Sequence, residues 1–414
     1  MKSFRDAWHG QCNFTLHYEG LIEQLRKENF DAAFSEPICL CGYALFNHIG
    51  IDKYAVTLSI SSSEGSFDIT GAPSFPSYIP SCLGNHSDRM NFFERMNNFF
   101  SHFIVSFFFP GIRDPFDEMF KHKFGDNTTG VEEMLKKSSL YFVNSEPLID
   151  FPKLLTHKMI DIGGISISSG NKPLNETWSS ILDKRKKNVL ISFGTVAKSY
   201  LMPEQYKKSI IKTIKQFPNV TFIWKYEKPE DKISEGIDNL IESTWVPQND
   251  ILYDSRLSLF ITHCGQGSTI EAVTAGKALI VIPVLGDQQR NAQVIKRIGT
   301  GIKLEKTSLM SSEELEQSIR TVLETNQYSD KAYLVGKMIR NRPFNARELF
   351  VRNMEFMAKF GPLRQFDHYG QQLNFFQYYL IDVFVFLISI VIFALFSLFL
   401  CFLYVVKRVI RKSK

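Results

Sequence analysis

Apolar and polar positions alternate along the chain in three ways: short buried-type runs, stripes at helical spacing, and one uncharged stretch near the end. Runs of strand length are Phe30–Glu36, which stops at a turn before Pro37, then Tyr54–Ile60 and Ser139–Asn144. Later runs are Asn188–Thr195, which enters a glycine turn, Val220–Tyr226, Leu257–Thr262 and a run ending at Pro283. Helical spacing marks Glu19–Glu28, Cys41–Ile49 and Arg347–Phe360. Another helix is expected after Thr195, with Pro203 suited to its first turn. The alternation predicts βαβ units in each half, hence an α/β chain with parallel sheets.

From Phe92 to Phe109 apolar residues recur near positions 92/93, 96, 99/100, 103/104 and 107/108, a helical stripe. The ordinary reading is a helix packed on its own domain. The alternative is a helix that lines an apolar acceptor site or touches lipid. Gly163–Lys187 is rich in Ser, Gly, Asn, Pro and Lys and reads as an interdomain linker. The expected organisation is a first domain over 1–165, a linker over 166–187 and a second domain over 188–342. A returning helix and membrane approach occupy 343–378. No internal repeat or low-complexity tract stands out.

Val383–Val406 contains no charged residue and, at 1.5 Å rise per residue, is long enough to cross a bilayer of about 30 Å. The tail 407–414, with Lys407, Arg408, Arg411, Lys412 and Lys414, is basic and is expected in the cytosol, leaving the large domain lumenal. It is similar to di-lysine retrieval signals of the endoplasmic reticulum, with Arg411 in place of one lysine, so the expected location is that membrane, crossed once. Such a topology calls for a signal peptide, and the start Met1-Lys-Ser-Phe-Arg-Asp-Ala-Trp has no apolar core of that kind. The expectation is a sequence lacking its true beginning, or a short isoform. Sequons at Asn13, Asn85, Asn127 and Asn175 are glycosylation candidates in a lumenal chain; a fifth, Asn219, leads a strand and is the least suited.

The length of 414 residues suits two domains plus extras. Net charge is +5, but the basic residues are scattered, which disfavours nucleic acid as a partner. The 37 Phe give aromatic surface for an apolar pocket or a membrane contact. The six cysteines include no CxxC pair, against a zinc site. Cys401 falls in the span and Cys264 in a glycine-rich turn; Cys12, Cys39, Cys41 and Cys82 are either paired in an oxidising lumen or free and buried.

The richest segment is Trp245 to Gln288. It reads Trp245-Val-Pro-Gln248-Asn-Asp, an apolar strand, His263-Cys-Gly-Gln-Gly-Ser-Thr-Ile-Glu271, a second strand, and Asp287-Gln288. These types suit a nucleotide sugar: a flat ring for the base, an acceptor for ribose, donors for phosphate and polar groups for the sugar. The segment resembles the donor signature of family 1 glycosyltransferases, most closely the animal UDP-glucuronosyltransferases. The likeness extends over Asp31–Ile51, the proline-rich Ala72–Pro80, Asn144–Pro152, Ile162–Ile165, the anchor and the tail. It implies a GT-B-like fold, two Rossmann-like domains facing a cleft, with UDP-glucuronic acid or UDP-glucose bound as donor substrate by the C-terminal one and no further cofactor or metal.

The resemblance assigns roles residue by residue. Trp245 stacks on uracil, with a buried core tryptophan as the alternative, and Gln248 binds the base edge or ribose. His263 donates to the diphosphate beside a helix N-terminus, where a structural histidine is the plain alternative. Gly265 and Gly267 let backbone approach the ligand. Glu271 binds ribose, although Ser268 and Glu271 also have the spacing of a capping box. Where many animal enzymes carry Asn-Gly this chain has Gly267-Ser268, so one phosphate contact shifts to the Ser268 hydroxyl. Ser192 and Thr195 flank the Gly194 turn and hold phosphate oxygens. Asp287 and Gln288, with Asn291 on the same turn, bind sugar hydroxyls; a surface acid–amide pair is the alternative.

The family reaction inverts the sugar carbon, with a histidine as base and a carboxylate orienting it. Glu36, in Ser35-Glu36-Pro37, matches that carboxylate, though aspartate is the more frequent residue. Neither His9 nor His17 matches the histidine. The expectation is therefore a transferase moving glucuronic acid to hydroxyl groups of small lipophilic acceptors, in a chain that as written lacks its catalytic base and exposes a sheet edge. The alternative is a non-catalytic, UDP-binding membrane partner or regulatory short isoform that assembles with full-length transferases, and homo- or hetero-oligomers are compatible with either.

Overall fold

The structure, a computed structural model, describes residues 2–38, 40–167 and 173–412. The side chains of 2–5, 107–112 and 412 are not described, so the end of the Phe stripe, Cys39 and the end of the tail lie outside the described side chains. The chain forms two compact units, Met1–Phe366 and Asp367–Lys414.

The first unit holds two parallel sheets. Four strands, β1 (Ala33–Ser35), β2 (Tyr54–Leu58), β3 (Leu140–Val143) and β4 (Met159–Asp161), pair in sequence order. Six more form the second sheet: β5 (Lys187–Ser192), β6 (Val220–Lys225), β7 (Leu240–Ser243), β8 (Leu257–Thr262), β9 (Leu279–Val281) and β10 (Gly301–Lys303). Their order is β10-β9-β8-β5-β6-β7, all parallel. The first strand in sequence lies mid-sheet with later strands running outward on both sides. That is the doubly wound Rossmann order, which leaves a crevice at the carboxyl ends of β5 and β8.

Alternate residues of the central strands feed two cores, as a sheet covered on both faces requires. Val189, Ile191, Phe222, Trp224, Leu259 and Ile261 enter one cluster; Leu190, Ile223 and Phe260 enter the other. The first sheet does the same. Tyr54, Val56, Tyr141 and Val143 pack on the helices Lys2–His17, Cys41–Ile49 and Val131–Lys136. Ala55, Leu140 and Phe142 pack on Ala346 and Met357 of the helix Ala346–Phe360, so the chain crosses back to cover the first sheet. The edge strand β1 has only three residues and exposes Phe34.

The Phe-rich stripe departs from its ordinary reading. It belongs to a 33-residue helix, Phe92–Phe124, opened by a capping box between Asn91 and Glu94. Phe92, Phe93, Met96, Phe99, Phe100, Phe103 and Ile104 are all exposed. The buried side of this stretch carries Asn98, His102 and Val105. The Asn98 amide donates to the carbonyls of Pro76 and Ile79 and accepts from the Ser81 N–H. His102 bonds the Ile79 carbonyl and approaches Glu64 at 3.5 Å. Polar anchoring to the proline-rich loop sets the rotation of the helix, and the apolar stripe is left outside.

Cys12 and Cys41 are disulfide-bonded, joining the first helix to Cys41–Ile49, while Cys82 is a free, buried thiol. In the second unit, the helix Ile381–Lys412 is long and apolar enough to cross a membrane.

Candidate functional site

The crevice beside β5 and β8 gathers most of the residues singled out in the sequence. His263 follows β8 directly. Its ring bonds the Ser192 backbone at the end of β5, and its Nδ1 lies 3.4 Å from the Thr262 hydroxyl. Two glycines hold the ring. A Cβ on Gly194 would lie 2.7 Å from its Cε1 and Nε2, and one on Gly265 would lie 2.6 Å from Nε2. Gly194 also has φ +85, a left-handed conformation that glycine adopts without strain. The need for Gly265 is thus contact with His263, whereas a Cβ on Gly267 would meet nothing within 4 Å. The neighbouring Cys264 takes φ 66 although it is not glycine, local strain of a kind that collects at functional sites. Burial foremost, and the nearby Lys225 ammonium, lower the His263 pKa to about 4, so the imidazole is neutral at physiological pH.

Helix Gln266–Thr274 starts here with Gly265 as its N-cap, which rules out a capping box at Ser268 and Glu271. Both side chains are turned to Gln248 instead. The Gln248 amide donates to Glu271 Oε2 at 2.8 Å and to Ser268 Oγ at 3.2 Å. Burial raises the Glu271 pKa and the Gln248 bond opposes that rise. An amide and a carboxylate side by side can engage a vicinal diol through one donor and one acceptor.

Trp245 is 68% exposed, so it is not a core residue. It follows β7, its carbonyl accepts from Ser243 Oγ, and its ring lies 5.5 Å from Lys225 Nζ. Ser192 is buried and its hydroxyl accepts from Gly194 N–H, while Thr195 is exposed just beyond the turn. Asp287 N-caps the helix Gln288–Ile298 and accepts from Asn291 Nδ2 at 2.8 Å; the same amide reaches the Cys264 carbonyl. Burial raises the Asp287 pKa, and the Asn291 bond lowers it. Gln288 is buried and its carbonyl accepts from Val284 and Leu285 N–H, so the pair is not a plain surface one.

Across the cleft, Glu36 follows β1 and its carboxylate accepts from Ser59 N–H at 3.0 Å. Burial raises its pKa to about 7, against the two Ser59 bonds. His9 and His17 lie elsewhere, on the first helix, against the Pro115 carbonyl and the Asn13 carbonyl. Of the sequon residues, Asn13 and Asn127 are exposed; Asn175 caps the helix Glu176–Asp183 by accepting from Trp178 N–H. Asn85 bonds Gln293, Lys303 and Glu305, tying the two halves together.

Three features escaped the sequence reading. Lys225 ends β6 as the lone cation in an otherwise uncharged run from Val220 to Tyr226, a signal open to notice. Arg290 joins Asp150 at 2.6 Å, both buried, and Lys153 joins the same carboxylate. Gln266 donates to the Asn144 carbonyl at 2.7 Å, another link from the second half to the first.

Comparison with known proteins agrees with this architecture. Among solved structures, the chain is similar to a UDP-glucose:anthocyanidin 3-O-glucosyltransferase in complex with UDP, with a TM-score of 0.57 and 15% identity, covering 82% of this chain and 78% of that one. A glycotransferase of kitacinnamycin gives a TM-score of 0.58 at 13% identity over 84% and 82% of the two chains. At such identity these establish the fold, which is GT-B: two α/β domains with parallel sheets. In sequence, the chain is 30% identical to ugt-48 of Caenorhabditis elegans over 92% of its own length and 73% of the relative's. It is 26% identical to UDP-glucuronosyltransferase 1A4 of Homo sapiens over 98% and 75%. The model of the UDP-glucoronosyl and UDP-glucosyl transferase family matches residues 1–414 from end to end, and the chain belongs to that family of UDP-glycosyltransferases.

Proposed function

We propose that the donor is UDP-glucuronic acid and that the sugar passes, with inversion, to a hydroxyl group of a small lipophilic acceptor. The observation that carries the donor-site reading is the convergence of Gln248, Ser268 and Glu271 beside His263 at the switch point of the second sheet. The choice of glucuronate rests on the names of the relatives, which are UDP-glucuronosyltransferases.

On this reading Trp245 carries uracil on its open face and Gln248 with Glu271 takes the ribose hydroxyls. His263, the N-terminus of Gln266–Thr274, the Ser268 hydroxyl and the Ser192–Gly194–Thr195 turn hold the diphosphate. As the C1–oxygen bond breaks, negative charge grows on the departing UDP, where a neutral His263 N–H and the helix dipole stabilise it. Asp287, with Asn291 bracing it, and Gln288 orient the sugar. Glu36, its pKa raised to about 7 by burial, stands where the family's orienting carboxylate is expected. The chain crosses the membrane of the endoplasmic reticulum once, with its basic tail in the cytosol.

Competition of the two nucleotide sugars for the full chain in detergent, read by calorimetry, tests the donor. UDP-glucuronate is expected to bind more tightly than UDP-glucose. Tighter binding of UDP-glucose would overturn the donor assignment and leave the site intact.

A further inference from the structure

Lys225 occupies a costly position with no visible reason in the fold. It is the last residue of β6 and only 7% exposed, yet its ammonium has no ion pair with a carboxylate among the described residues and is held instead by a carbonyl and an aromatic ring. Its Nζ donates to the Gly194 carbonyl at 2.7 Å and lies 5.5 Å from the centre of the Trp245 ring. A carbonyl and an aromatic face soften a buried charge but do not neutralise it, and buried cations are ordinarily paired. The same ammonium depresses protonation of His263, second only to burial, so its field reaches the imidazole. Lys225 thus stands among Trp245, the Gly194 turn and His263, the three features assigned to base and diphosphate.

We infer that Lys225 is a specificity-determining residue whose missing counter-charge is the diphosphate of the nucleotide donor. This rests on the donor-site reading above and adds what that reading lacks, a formal positive charge. His263 is neutral, and the helix N-terminus and the serine hydroxyls supply only partial charges. A dianionic ligand in a half-buried crevice calls for a full one. The geometry gives Lys225 two tasks. Its bond to Gly194 fixes the turn that also packs on the His263 ring. Its charge beneath the Trp245 ring leaves the exposed face of the indole for the base. A nucleoside meets only the second of these; a nucleoside diphosphate meets both.

The test compares UDP with uridine on the full chain in detergent, by calorimetry, for the unaltered protein, Lys225→Met and Lys225→Arg. Lys225→Met is expected to weaken UDP by about 10- to 100-fold, the usual worth of a charge-assisted hydrogen bond, while uridine changes by less than about twofold. Dependence of UDP affinity on salt should fall in the same variant. Lys225→Arg is expected to restore most of the UDP affinity. Retained uridine binding shows that the fold survives. If both ligands weaken together, or UDP binds Lys225→Met unchanged, the inference is overturned while the donor site stands. If the unaltered chain binds neither ligand, the donor-site reading is overturned and this inference with it.

Discussion

Burial disfavours the charged forms of both His263 and Glu36, with opposite consequences for pH. Unfolded histidine takes a proton below about 6.5, whereas in the folded chain His263 resists until about pH 4. The unfolded state therefore binds more protons between those values, and stability falls as pH drops from about 6.5 towards 4. Glu36 has its folded pKa raised to about 7 from 4.5, so the unfolded state has fewer protons in between and stability falls as pH rises from about 4.5 to 7. The two contributions oppose each other where they overlap. In urea titrations across pH 4–7, His263→Gln is expected to remove the loss on the acid side and Glu36→Gln the loss towards neutrality. If both variants keep the parent's profile, the burial of these groups does not govern it. At the nucleotide, Glu271→Ala leaves the Gln248 amide without its carboxylate and the ribose without its acceptor. Affinity for UDP should fall about tenfold or more in calorimetry. Unchanged affinity would remove Glu271 from the ribose contact.

At the scale of elements, the two halves are joined through buried charge. Burial alone would raise the pKa of Asp150, but Arg290 and Lys153 hold it well below the usual carboxylate range. Its contribution to stability is therefore present above pH about 4 and lost only as strong acid reaches the folded carboxyl. Arg290→Ala strands that carboxylate on Lys153 alone and is expected to cost about 3 kcal/mol in urea unfolding. A double Asp150→Leu, Arg290→Met variant should cost less, since no charge is left buried. Equal losses in the two would show that packing, not charge, dominates. None of this pairing was legible in the sequence, because Asp150 and Arg290 are 140 residues apart and nothing local marks them as partners. The strands were legible because buried parallel strands read as near-continuous apolar runs, as in Val189–Ile191 and Leu259–Ile261. The Phe92–Phe124 helix was legible as a helix but not in its rotation. Spacing gives a stripe, and only the carbonyls that Asn98 and His102 meet decide which side faces inward. For the same reason Ser268 and Glu271 matched a capping box in sequence. Their bonds to Gln248, some twenty residues earlier, appear only once β8 places the two turns together.

For the whole molecule, one described helix is long and apolar enough to cross a bilayer. The helix Ile381–Lys412 has 32 residues, which at 1.5 Å each extends well past a hydrocarbon core of about 30 Å. The two serine hydroxyls within the apolar stretch are satisfied internally: Ser389 and Ser397 donate to the carbonyls of Val385 and Phe393 one turn back. No backbone ladder is broken to do so, as a lipid environment demands. Lys407, Arg408 and Arg411 come only after the uncharged stretch, so a bilayer holding that stretch would meet them at its headgroups. Nearly every side chain of the segment is exposed in the chain itself, which distinguishes it from a core helix. A spanning helix resists alkaline carbonate, whereas surface attachment does not. The full chain is expected in the carbonate pellet, and a chain ending at Leu380 in the supernatant. The exposed Phe92–Ile104 stripe makes the comparison a demanding one, because it offers the shortened chain an apolar face of its own. Should the shortened chain remain in the pellet, the C-terminal helix would not be the sole attachment, and the stripe would be the next segment to alter.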